Sequence, residues 1–232
     1  MSYLKKILTS SKEIIITYLL SYFIILISCL IYTCLGHQDL TKFINTYCIY
    51  ILLTYYLLTI LYLFKKNYIK EKKISIKNYF PLISIGISIA CFMNMLIYKI
   101  IPLQETPTIA LPIAFLSSGL IGPIYEEILF RYLFFNRLKK YFSKKKAILI
   151  TTLIFALIHL SPIKIIYAFF LGLILTISYE KYQTILAPVL IHIFANSIVL
   201  FLNEYNTYIL LLSIINLGLN IKQIAPKNRF QS

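Results

Sequence analysis

Apolar residues run almost without interruption from about residue 14 to residue 221, and the polar breaks between the runs are short. Runs near 13–35, 43–64, 80–102, 112–136, 146–161, 163–179, 184–203 and 207–221 approach the roughly 17–25 residues that carry an α-helix across a bilayer. The pattern predicts an all-α, polytopic integral membrane protein of about eight transmembrane helices, the fifth and eighth short. The first run is too long for the apolar region of a signal peptide and is followed by no small-residue cleavage site, so it is expected to stay as a helix.

Composition agrees with the pattern. The chain has 232 residues, of which 59% are hydrophobic and only 13% charged, with a mean hydropathy of +0.81. That balance excludes an ordinary soluble domain. The net charge of +15 would point to nucleic acid in a soluble protein, but here the cations sort by loop, and no nucleic-acid partner is expected. One side of the predicted bundle receives Lys5, Lys6, Lys12, the lysines of 65–77, the basic residues of 137–146, Lys181, Lys222, Lys227 and Arg229; the other receives Lys42, Lys99 and Lys164. The positive-inside rule then places both termini in the cytoplasm of a cell-membrane protein. Cys29, Cys34, Cys48 and Cys91 lie in or at the ends of apolar runs without metal-knuckle spacing, and are expected to be small core residues.

Three groups of residues break the apolar pattern at membrane depth, where polar side chains are costly and usually functional. Glu126, Glu127 and Arg131 lie in the fourth run, His159 in the fifth, and His192 and Asn196 in the seventh. The remaining acids, Glu13, Asp39, Glu71, Glu105, Glu180 and Glu204, sit in loops or at the ends of runs. At a rise of 1.5 Å per residue, Glu126 stands roughly 16 Å from its basic boundary, His159 roughly 20 Å, and His192 and Asn196 roughly 14 and 20 Å. All four fall in one layer.

Spacing fixes faces. Glu127 and Arg131 are one turn apart and can neutralise each other, as Phe155 and His159, and His192 and Asn196, share faces of their helices. Adjacent Glu126 points about 100° away from Glu127, which leaves it free to act as a general base on water. His159 could fix that water or bind a metal, and His192 and Asn196 could donate to an oxyanion. Glu126, His159 and His192 also form a common catalytic zinc set, so one zinc ion is an open alternative.

The three motifs, EEILFR at 126–131, FALIH at 155–159 and HIFAN at 192–196, resemble those of the CPBP (CAAX protease and bacteriocin-processing, or Abi) family of intramembrane proteases. The resemblance covers about residues 110–205. It implies a catalytic cavity among the later helices, with Glu126 activating water, His159 assisting, His192 and Asn196 supporting the site, and Glu127, Arg131 and Phe155 holding its architecture. It divides the chain into 1–105, three N-terminal helices with a Lys-rich loop; 106–221, the protease core; and 222–232, a tail. The implied partner is a membrane-associated peptide or protein substrate within the lipid bilayer. A composition rich in Ile, Lys, Tyr and Asn points to a bacterial source, and hence to peptide or bacteriocin processing or self-immunity. A non-catalytic immunity or scaffold protein and a proton-coupled transporter are the competing classes; the lack of repeated halves weighs against the transporter.

Overall fold

The computed structural model describes residues 2–66, 72–100, 110–202 and 204–224; Glu71, Glu105 and the tail from residue 225 lie outside the described residues. Among the described residues the chain is helical and has no strands. Besides two short 3-10 turns, the described residues form nine helices: α1 (Tyr3–Ser10), α2 (Lys12–Cys34), α3 (Leu40–Lys66), α4 (Tyr79–Ile100), α5 (Leu111–Leu138), α6 (Lys144–Leu157), α7 (Pro162–Tyr182), α8 (Leu186–Val199) and α9 (Thr207–Asn220).

Five of these are long and apolar enough to cross a membrane: α2, α3, α4, α5 and α7. The expected eight spans are therefore not all present at full length. α6, α8 and α9 have 14 residues each, or about 21 Å of helix, well short of a hydrocarbon core of about 30 Å. The run 184–203, expected to be a full span, is cut at both ends. At its start Gln183 takes a left-handed conformation that closes α7. At its end Leu200, Phe201 and Leu202 bond to carbonyls three residues back, a tightening that finishes a helix. α1 was not anticipated at all; Ser11, with a non-helical ψ of 4°, separates it from α2.

α5 carries the fold's irregularity. Two of its stretches, Phe115–Ile121 and Ile128–Phe135, are π-helical, and they flank the segment that holds Glu126 and Glu127. Gly122 and Pro123 explain the first. The Gly122 N–H bonds to the Ser117 carbonyl, five residues back, and a Cβ at position 122 would stand 2.8 Å from that same oxygen. Ser118 then loses its ordinary donor, and the next candidate, Pro123, has no N–H to give. The orphaned carbonyl is taken by another helix, as described below.

The later helices pack around α5 and each other. α8 lies in a trough between α4, α5 and α7, and α4 approaches it so closely that a Cβ on Gly86 would come within 2.2 Å of the Ile191 carbonyl oxygen. α9 is held to α4 by a polar ladder: Ser84 donates to Asn216 Oδ1 at 2.9 Å, and Asn216 Nδ2 donates to Ser88 at 2.8 Å. Asn220 Nδ2 completes it, donating to Asn216 Oδ1 at 2.6 Å. In lipid, such bonds supply the association that hydrophobicity cannot. From the front of the chain, α2 and α3 bring Tyr18, Tyr55 and Tyr56 against Tyr125, with Tyr56 stacked on it at 4.3 Å between ring centroids.

Candidate active site

Glu127 is the centre of the polar cluster. Its Oε1 accepts from Arg131 Nη1 at 2.8 Å, within one turn of α5, and from His192 Nδ1 at 2.7 Å across to α8. The side chains of Glu127 and Arg131 are fully buried and that of His192 is 3% exposed. A buried charge in such surroundings persists only when it is paired and hydrogen-bonded. Arg131 meets that need twice more. Its Nη2 donates to the Gly172 carbonyl on α7 at 3.2 Å, and its guanidinium lies 4.3 Å from the centre of the Phe155 ring, a cation–π distance.

Gly172 makes this approach possible. A Cβ there would stand 2.7 Å from Phe155 Cδ1 and 3.5 Å from Arg131 Nη2. Its carbonyl also accepts from Thr176 at 2.7 Å. Neither Gly172 nor Thr176 was picked out from sequence; a glycine in the middle of an apolar membrane helix was the available signal, since small residues mark close helix approach.

Glu126 points elsewhere. Its side chain is 24% exposed, and its Oε2 lies 3.8 Å from His192 Nε2. A carboxylate can only accept from Nδ1–H, so the bond to Glu127 fixes the His192 tautomer and turns Nε2 to Glu126. The two adjacent glutamates thus face opposite nitrogens of one imidazole, Glu127 in a hydrogen bond and Glu126 beyond hydrogen-bond range.

His159 does not lie within a helix, contrary to expectation. α6 ends at Leu157, Leu160 adopts a left-handed φ of 59°, and Ser161–Pro162 opens α7. The residue before a proline avoids the α conformation, so the sequence HLSP ends one helix and starts the next. His159 Nδ1 donates to the Phe155 carbonyl at 2.9 Å, which leaves Nε2 as its free acceptor. Its ring meets the edge of Phe155 at 5.1 Å, and Phe155 meets His192 at 5.9 Å. Phe155 therefore touches both histidine rings.

Asn196 lies one turn beyond His192 and donates from Nδ2 to the Ser118 carbonyl at 3.0 Å. That is the acceptor stranded by Pro123. Asn196 and the π-turn of α5 are in this sense one structure, and one amide N–H of Asn196 remains for other partners.

The expected metal set is only partly assembled. Glu126 and His192 come together, but among the described residues no three His, Cys, Asp or Glu side chains are grouped as ligands, and no hydrogen bond or ion pair joins His159 to either glutamate.

Residues 108–198 match the family model described as type II CAAX prenyl endopeptidase Rce1-like. This segment is Rce1-like. The match agrees with the resemblance seen in the three motifs, all of which lie inside it. It runs from just before α5 to the last turn of α8 and leaves α1–α4 and α9 outside. No curated protein and no solved structure matches the chain. Two of the five membrane-length helices, α5 and α7, lie within this segment and the other three precede it, the arrangement of a multi-pass membrane protein.

Proposed function

We propose that the protein is an intramembrane endopeptidase that hydrolyses a peptide bond in a membrane-associated peptide or protein. The observation that carries this reading is the chain of contacts Glu126, His192, Glu127, Arg131: a partly exposed carboxylate facing an imidazole whose far nitrogen is locked by a buried ion pair. Glu126 takes a proton from a water, whose oxygen attacks the scissile carbonyl carbon. His159, with Nδ1–H held by Phe155, uses Nε2 to orient that water. The proton passes to His192 Nε2, and the imidazolium, flanked by the remaining N–H of Asn196, donates to the developing oxyanion. Collapse of the intermediate breaks the C–N bond, and the proton leaves on the departing amine.

The setting is peptide or bacteriocin processing or self-immunity in a bacterial membrane, with the basic loops and both termini in the cytoplasm. The lipidated substrates implied by the family's description define the first probe. A membrane-anchored CAAX reporter and a leader-bearing bacteriocin precursor are incubated in vesicles with wild type and with Glu126→Gln. Cleavage of either by wild type and none by the inserted variant is the expected result; cleavage that survives Glu126→Gln overturns the assignment of the base. Protection against a bacteriocin that persists in a Glu126→Gln, His159→Ala variant would instead identify a non-catalytic immunity protein.

A further inference from the structure

Helix α1 has three faces rather than two. Ser10 is buried and Ile7 packs on the core, three residues apart on one side. Leu4 and Leu8, four apart on the next, are 67% and 51% exposed. Lys5 and Thr9, again four apart, are exposed on the third. An exposed apolar stripe on a short helix is unfavourable in water, and a helix with lysine on an adjoining stripe is unsuited to the hydrocarbon interior. Both demands are met where a helix lies flat at the headgroup boundary.

The surroundings agree. α1 packs against the last turns of α5, where the chain's basic loop begins. Tyr3, 67% exposed, has its ring 5.7 Å from Phe142, with Lys6 and Lys146 within 5.8 and 6.0 Å of its centre. A tyrosine flanked by cations is the side-chain set of a membrane–water interface. The nearby acids are already engaged: Glu180 pairs with Lys139 and Lys144, and Glu13 with Arg137. Lys5, Lys6, Lys140, Lys145 and Lys146 have no acidic partner among the described residues. The fold thus collects unneutralised lysines beside an exposed apolar stripe.

We propose that α1 is an in-plane surface helix and that, with Lys140, Lys145 and Lys146, it forms a binding site for the headgroup of an anionic phospholipid. The apolar stripe sets the depth and the lysines select the charge. This surface lies outside the cluster of Glu126 and His192 and stands whether or not the protein is a protease.

The chain has no tryptophan, so a single introduced indole reports its own position. Full-length Leu4→Trp, Leu8→Trp and Lys5→Trp proteins are reconstituted in phosphatidylcholine vesicles carrying a minor fraction of acyl-brominated phosphatidylglycerol or acyl-brominated phosphatidylcholine. Expected is strong quenching of the two leucine-site probes by brominated lipid and of the Lys5 probe by aqueous acrylamide. At the Leu8 probe, brominated phosphatidylglycerol should quench at concentrations on the order of tenfold lower than brominated phosphatidylcholine. The exposed-surface changes Lys140→Gln, Lys145→Gln and Lys146→Gln together should bring the two lipids to parity. Acrylamide access at Leu4 and Leu8 overturns the in-plane placement; equal quenching by both lipids with the lysines intact overturns the anionic headgroup site.

Discussion

Glu127 Oε1 accepts hydrogen bonds from both Arg131 and His192, at 2.8 and 2.7 Å, so one carboxylate oxygen joins the helix α5 to the helix α8. The oxygen neutralises a buried guanidinium and orients an imidazole at once. Loss of either function should therefore be felt in both stability and activity, but not to the same extent.

Arg131→Met leaves Glu127 as an uncompensated buried charge, which costs about 3–5 kcal/mol. The expected result is a large fall in thermal midpoint in detergent. Adding Glu127→Gln to Arg131→Met removes the stranded charge and should restore much of the midpoint, while cleavage stays absent because His192 has lost its charged partner. A double variant that melts no higher than Arg131→Met would contradict the pairing.

Gly86 and Gly172 should differ as sites of alanine substitution. At Gly172 the obstacle is the Phe155 ring, a side chain that can tilt, at a cost of about 1–3 kcal/mol. At Gly86 the obstacle is the Ile191 backbone, so α8 itself must move and carry His192 with it. Gly86→Ala should lower kcat far more than Gly172→Ala. Equal activities would show that the α4–α8 approach does not position the histidine.

Asn196 and Pro123 should be thermodynamically coupled. Asn196→Ala strands the Ser118 carbonyl, at about 1–3 kcal/mol. In a Pro123→Ala background residue 123 regains an N–H, and the same change should cost distinctly less. A double-mutant cycle by denaturant or heat checks this; strict additivity would refute the link.

Chelation is a fourth test. Because Glu126, His159 and His192 are not gathered as ligands, cleavage should persist after dialysis against EDTA, and purified active protein should carry zinc well below one ion per chain. Loss of activity on chelation with recovery on added zinc would reverse this.

Much of the site was legible along single helices. The spacing of Glu127 and Arg131 dictates their pairing, because residues four apart on a helix must meet. What was hidden is what crosses between helices. The bond from His192 to Glu127 depends on the rotation of α8, and the partner of Arg131 on α7 is a carbonyl, which no side-chain pattern displays. Asn196 was expected to serve an oxyanion; its visible task is to satisfy Ser118, a need created by Pro123. The α4–α9 ladder was available as Ser84 and Ser88 facing Asn216 and Asn220, each pair four apart, but neutral polar residues stand out less than charges in an apolar run. Helix length was the weakest inference, since hydropathy continues through the turns that end α6 and α8.

Three helices of 14 residues, α6, α8 and α9, have a further consequence. Leu149, Leu153 and Leu157 on α6, and Leu211, Leu212 and Ile215 on α9, are exposed on the outside of the bundle. A helix of about 21 Å is shorter than the hydrocarbon core, and one way a bilayer accommodates such a helix is by thinning beside it. Thinning of that kind would bring both aqueous phases nearer to the depth of Glu126. Water would then have less hydrocarbon to cross, and a substrate helix entering there would lose part of the lipid cover that keeps its backbone wound.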